Sequence, residues 1–150
     1  MTAQLAAFEL KVGAALPERS LEPHSRTDIV RYQGASGDFN PIHHDEEFAR
    51  SAGMPGVFSV GMLQAGYLGT YCVDLFGPES VRRLSVRFAE QVWPGDELVC
   101  RGVIATVSHT DEGDTVDVDL AIARVNGGVA VSASATVVLE PSADSEGNTA

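Results

Sequence analysis

The chain has 150 residues, 44% of them hydrophobic, which by size is one domain with enough apolar material for its own core. Its formal net charge of -11 at pH 7 is the opposite of the basic footprint that nucleic-acid binding requires. No apolar run reaches the roughly 18 residues that span a bilayer, and residues 1–16, with Glu9 and Lys11, do not read as a signal peptide. Cys72 and Cys100 stand far apart in no metal-ligand or redox spacing, so they read as free thiols of a cytoplasmic protein.

In chain order, residues 7–16 (AFELKVGAAL) read as a short strand followed by a glycine turn, and residues 17–23 as an extended connection. Ser25 and Asp28 have capping-box spacing, so a helix over about 28–34 follows, with Ile29 and Tyr32 on one face. It delivers the chain to Ser36-Gly37-Asp38-Phe39-Asn40-Pro41-Ile42-His43. This stretch is no regular helix: Pro41 disfavours helical geometry at Asn40, and Gly37 and Asn40 tolerate turns. Asp38 and His43 are therefore set by an irregular loop, where catalytic groups are often placed on a rigid scaffold. A carboxylate can polarise water or take its proton, and an imidazole serves as acid or base near neutrality. Such a pair suits adding or removing water across a double bond. From the residues alone the alternative is an Asx-turn at Asp38 and a helix-flanking His43, without chemistry.

Asp45, Glu46 and Glu47 put acids in the first turn of a short helix ending near Gly53, and Met54-Pro55-Gly56 is a breaker. Residues 57–76 are the most apolar stretch, with Asp74 their only charge and with Gly61, Ala65, Gly66 and Gly69 at helical spacing. A helix apolar on all sides is a buried one, and glycines that each cost about 1 kcal/mol against Ala point to close packing. A central helix over 61–75 is expected, wrapped by sheet, with Met62, Leu63, Tyr67, Leu68 and Phe76 in the core. Beyond Gly77-Pro78 the period falls to two. Leu84, Val86 and Phe88 alternate with Arg83, Ser85 and Arg87; Trp93-Pro94-Gly95-Asp96 turns, with Trp93 as packing. Residues 98–107 form a strand, and 109–113 a turn that leaves His109 in solvent. Val116, Val118, Leu120 and Ile122 alternate with Asp117, Asp119, Ala121 and Ala123, Asn126-Gly127-Gly128 signals a hairpin, and 129–139 returns. Residues 141–150 have the composition of a disordered tail. One long helix followed by an antiparallel meander is α+β.

Tyr32 through His43, with Ser36-Gly37-Asp38, Asn40-Pro41 and His43, resembles the hydratase motif of MaoC-like (R)-specific enoyl-thioester hydratases and dehydratases. Gly61-Met62-Leu63 opens the central helix as in that family, and Val86-Arg87-Phe88 followed by Pro94-Gly95-Asp96 is similar to its strand-and-turn signature. The resemblance runs over roughly 8–139 and is nearest to the actinobacterial fatty-acid-elongation dehydratase subunits. It implies one hot-dog domain over residues 1–140, a sheet wrapped around a long helix and usually dimerised. It further implies reversible hydration of a trans-2-enoyl-CoA or -acyl-carrier-protein thioester to the (R)-3-hydroxyacyl thioester, with no metal and no cofactor beyond the substrate's carrier.

Asp38 and His43 match the family's catalytic pair, which holds the water; in dehydration His43 would take the α-proton and Asp38 assist departure of the β-hydroxyl. The backbone N–H of Gly61, at a helix N-terminus, is the expected donor to the thioester oxygen. Asn40 would orient the loop or the water, and Ser36 belongs to the same substrate-binding set. Arg82, Arg83 and Arg87 would meet the phosphates of coenzyme A or the phosphopantetheine of acyl carrier protein, or else form a solvated strand face. Val60 stands where many members have His, and Gly66 where many have Ser. His44, with Asp38 and Asp45, has no distinctive metal spacing. Two other readings stay open: a hot-dog thioesterase, and one subunit of a heterodimeric dehydratase whose partner completes the tunnel.

Overall fold

The computed structural model describes residues 9–111 and 113–140. In order these form β1 (Arg19–Ser20), α1 (Arg26–Ser36), a 3-10 turn (Pro41–His43), α2 (Glu46–Ser51), α3 (Gly61–Phe76), β2 (Val81–Phe88), β3 (Leu98–Thr110), β4 (Gly113–Arg124) and β5 (Val129–Leu139). The strands make one five-stranded sheet in the order β1-β3-β4-β5-β2, each pair antiparallel. Period-two alternation decides its two faces. Val116, Val118, Leu120 and Ile122 of β4 are buried with Leu68, Tyr71, Cys72, Leu75 and Phe76 of α3. Asp117, from the other face, accepts from Thr106 at 2.8 Å and Thr136 at 2.7 Å, which holds its carboxyl below the usual carboxylate range. The result is the expected hot-dog arrangement, a long helix packed against an antiparallel sheet.

Several expectations need correction. Gly13 takes φ 84°, a left-handed value that interrupts a strand, and Ala14 N–H closes a turn onto the Lys11 carbonyl at 2.9 Å. The glycine turn expected here is thus present, but residues 9–12 before it form no strand, and after it Ala15 makes a single bridge to Val103; residues 7 and 8 lie outside those described. The first strand, β1, falls within 17–23, the stretch read as a connection, and pairs Arg19 with Cys100 on the free edge of β3. α1 starts at Arg26 because Ser25 is its N-cap, with both halves of the capping box made to Asp28. His109 belongs to β3 rather than to a turn, exposed and 2.7 Å from Asp114. The tail expected over 141–150 lies outside the described residues.

α3 is not buried all round. The sheet covers one side of it, so Met62, expected in the core, is 53% exposed, and Leu63 and Tyr67 are half-buried. Two of its glycines do serve close packing: a methyl on Gly61 would lie 3.0 Å from Phe88 Cδ1, and one on Gly69 would lie 3.5 Å from Leu84 Cδ2. Gly66 has nothing within 4 Å. Cys72 and Cys100 are free and buried, and burial pushes both thiols up to about 11. Among the described residues no helix is long and apolar enough to cross a membrane.

His24 joins α1 to the Pro94-Gly95-Asp96 turn. Its N–H donates to the Asp96 carbonyl at 2.8 Å, and its carbonyl accepts from Gly95 N–H at 2.7 Å. The ring is 2% exposed and Nε2 has no partner, so burial lowers its pKa below 6.5 despite the carboxylates of Asp28 and Asp96. As pH falls below 6.5 the unfolded chain takes up this proton before the folded one. Stability is therefore full above pH 6.5 and declines as pH drops towards the folded pKa. Urea denaturation between about pH 7.5 and 5.5, above most carboxylate titration, is expected to show this decline in the wild type and less of it in His24→Phe.

Candidate active site

α1 ends where Gly37 turns left-handed at φ 76°, its N–H donating to the Gln33 carbonyl at 2.9 Å. Three local bonds then shape the loop. Asp38 N–H donates to Ser36 Oγ at 3.2 Å, Asn40 N–H to Asp38 Oδ1 at 3.2 Å, and Ile42 N–H to Asn40 Oδ1 at 3.1 Å. Asn40 caps the 3-10 turn, with Pro41 in the position where a missing N–H costs nothing. The Asx-turn read from the residues is thus present, and it uses one oxygen of the Asp38 carboxylate while the other bonds to no described residue.

The 3-10 turn carries His43 inward, to 9% exposure. Its Nδ1 lies 2.8 Å from the Phe58 carbonyl oxygen. A carbonyl can only accept, so Nδ1 carries a proton, and in the neutral ring the lone pair is on Nε2. The imidazole meets the Phe58 ring edge-on at 5.1 Å and 82°, and Phe58 meets Trp93 at 5.7 Å and 65°. Trp93 is packing, as its sequence context indicated, and what it packs is the ring beneath His43.

A cleft of about 230 Å³ opens beside this aromatic row, lined among others by Phe58, Ser59, Gly61, Gln64, Phe88 and Val131. Gly61 begins α3, whose N-cap, Val60, supplies no side-chain bond, so no side chain caps the first-turn amides. Ser59 N–H donates to the Val92 carbonyl at 2.8 Å, and Ser59 Oγ accepts from Gln64 Nε2 at 2.9 Å. Gln64 is 1% exposed.

Of the residues expected in the site, Ser36, Asp38, Asn40 and His43 come together in one loop and do not line the cleft, whereas Gly61 does; Phe58, which lines the cleft and bonds His43 through its carbonyl, stands between them. The arginines stand elsewhere. Arg82 bonds the Glu79 carbonyl, Arg83 lies near Asp117, and Arg87 is in register with Ser132; none is among the residues lining the cleft. His44 Nδ1 is 3.1 Å from Gln33 Oε1, and Asp45 caps α2 by accepting from Glu47 and Phe48 N–H at 3.0 Å. Sequence reasoning missed Gln33, Ser59 and Gln64. Ser59 and Gln64 were visible as polar positions inside the apolar run 57–76; Gln33 carried no such signal.

Residues 8–126 match the family model described as a MaoC like domain. The chain belongs to the MaoC-like dehydratase family. The peroxisomal enoyl-CoA hydratase 2 of Arabidopsis thaliana is 39% identical over 67 residues, covering 43% of this chain and 22% of that protein. The mitochondrial 3-hydroxyacyl-(acyl-carrier-protein) dehydratase of Arabidopsis thaliana is 34% identical over 90 residues, covering 60% of this chain and 53% of that protein. This MaoC-like chain therefore matches about half or less of the length of either curated relative. The ChsH1-ChsH2 complex from Mycobacterium tuberculosis contains a chain of similar structure, with a TM-score of 0.74 and 25% identity over 87% of this chain and 98% of that one.

Ser59→Ala leaves the buried Gln64 Nε2 without its acceptor and is expected to cost about 1–3 kcal/mol. Removing both partners, in Ser59→Ala with Gln64→Leu, is expected to cost less than the single change. Chemical denaturation of the two variants measures the difference.

Proposed function

We propose that this chain, as a single cytoplasmic hot-dog domain over residues 1–140, reversibly hydrates a trans-2-enoyl thioester to the (R)-3-hydroxyacyl thioester. The carrier is coenzyme A or acyl carrier protein. The observation that carries the reading is the seating of His43: Nδ1 is committed to the Phe58 carbonyl, so Nε2 is free as a base, on the same loop as the half-bonded Asp38 carboxylate.

In the dehydration direction His43 Nε2 takes the α-proton, and the C–H electrons form the double bond as the β-carbon–oxygen bond breaks. His43 returns that proton to the departing hydroxyl, which leaves as water held by Asp38. Charge that develops on the thioester oxygen meets the Gly61 N–H at the uncapped start of α3. A preorganised donor of this kind contributes about 3 kcal/mol. Asn40 keeps Asp38 Oδ1 and the 3-10 turn in register, and Ser36 holds the Asp38 N–H. Arg82, Arg83 and Arg87 are exposed and none lines the cleft, so the solvated strand face is the reading the geometry favours for them.

β2 pairs on one side only among the described residues, and its Leu84 and Phe88 stand exposed, as does Met62 of α3. We assign this edge to a second copy of the chain. Light scattering at twice the chain mass supports the assignment. A monomer that gains mass only with a different subunit, a pairing of the kind that ChsH1 makes with ChsH2, overturns it.

Loss of the enoyl-thioester absorbance band with crotonyl-CoA, and with a longer trans-2-enoyl-CoA, tests the reaction. Asp38→Asn and His43→Ala are each expected to fold and to lose about 100-fold or more in kcat. Full activity in either folded variant contradicts the catalytic roles of Asp38 and His43. Free thiol release from a saturated acyl-CoA, without hydration of the enoyl substrate, would establish the thioesterase instead.

A further inference from the structure

The loop that carries Asp38 and His43 is mostly exposed at Ser36, Gly37, Phe39 and Asn40, and the bonds within it are local, spanning two to four residues each. Such a loop does not hold a geometry by itself. Its tie to α1 is Gln33, which is 3% exposed. The Gln33 carbonyl accepts from Gly37 N–H at 2.9 Å. Its side-chain Nε2 donates to two main-chain carbonyls, those of Asp38 at 2.8 Å and Asn40 at 3.2 Å. Its Oε1 faces His44 Nδ1 at 3.1 Å.

These contacts admit one arrangement. Two carbonyls can be met only by the NH₂ end of the amide, which turns Oε1, an acceptor, towards His44. His44 must then be protonated at Nδ1, like His43 beside it. Both ends of the Gln33 amide are used, and each use fixes part of residues 37–44.

We propose that Gln33 is the positioning residue of this site: its buried amide clamps the Asp38–Asn40 main chain and His44, and so sets where the Asp38 carboxylate and His43 imidazole stand. The inference rests on the hydratase reading above. Gln33 touches no substrate. A misplacement of the reacting groups by about 1 Å is enough to cost about 100-fold in rate.

The test is Gln33→Leu, which keeps the bulk and removes the amide. With crotonyl-CoA it is expected to lower kcat by about 100-fold while KM stays within about threefold. Loss of packing alone would lower the melting temperature and leave kcat of the folded protein unchanged. Should the variant fail to fold, imidazole ¹⁵N shifts of wild-type His44, read at a pH where the ring is neutral, decide the matter. The Nδ1–H tautomer supports the clamp and the Nε2–H tautomer overturns it. A wild-type protein inactive on enoyl thioesters would fail the hydratase reading, while an active wild type with an unimpaired, folded Gln33→Leu fails only the role assigned to Gln33.

Discussion

The hydrogen bond from His43 Nδ1 to the Phe58 carbonyl is the constraint on which the site depends. It sets the tautomer, holds the ring at the end of the 3-10 turn, and joins the Asp38 loop to the segment that leads into α3. It also closes a circuit. Phe58 packs on Trp93, whose N–H donates to the Asp96 carboxylate at 2.8 Å. The turn containing Asp96 is bonded on both sides to His24, the residue before the N-cap of α1. α1 then returns through Gln33 to the loop where the circuit began. Each link is weak on its own, about 1 kcal/mol for a typical hydrogen bond. Closed on itself, the ring leaves the loop little freedom to shift without breaking several links together.

The polar groups buried in this fold are distributed accordingly. Among the described residues they are His24, Gln33, His43, Ser59 and Gln64, while the sheet and, beyond Gln64, the inner side of α3 bury apolar side chains, Tyr71 and the two thiols. A polar group taken out of water costs free energy unless it is bonded, so a core tends to exclude it. Here all five lie in the circuit or next to it, and four are bonded through their side chains. The exception is His24, whose buried Nε2 is orphaned and whose pKa burial lowers.

Much of this was legible in the sequence wherever a short stretch decides its own structure. Ser25 and Asp28 cap α1 because the two side chains lie within one turn of each other. The Asn126-Gly127-Gly128 turn joins β4 to β5 for a similarly local reason, with Arg124 N–H donating to the Gly128 carbonyl at 3.1 Å. The period-two stretch of β4 and the start of α3 at Gly61 were also readable. What escaped depends on which surfaces meet. β1 exists because β3 offers a free edge, and nothing within residues 17–23 announces that. Met62 is as apolar as its buried neighbours but lies on the side of α3 that the sheet leaves open. Gln33 looks like any helical glutamine until the loop folds back over it. The motif carries the groups proposed to react; what holds them is read from the fold.

Asp38 and His43 leave a single loop, so water and proton should reach the substrate from one face. The most direct measurement is hydration of a trans-2-enoyl-CoA in D₂O, with the configuration at C2 and C3 of the product read by NMR. One deuterium at C2, on the same face as the new hydroxyl, is the expected result. Addition to opposite faces, or deuterium on both faces of C2, would require a proton donor outside residues 38–43 and would contradict the pairing of Asp38 with His43.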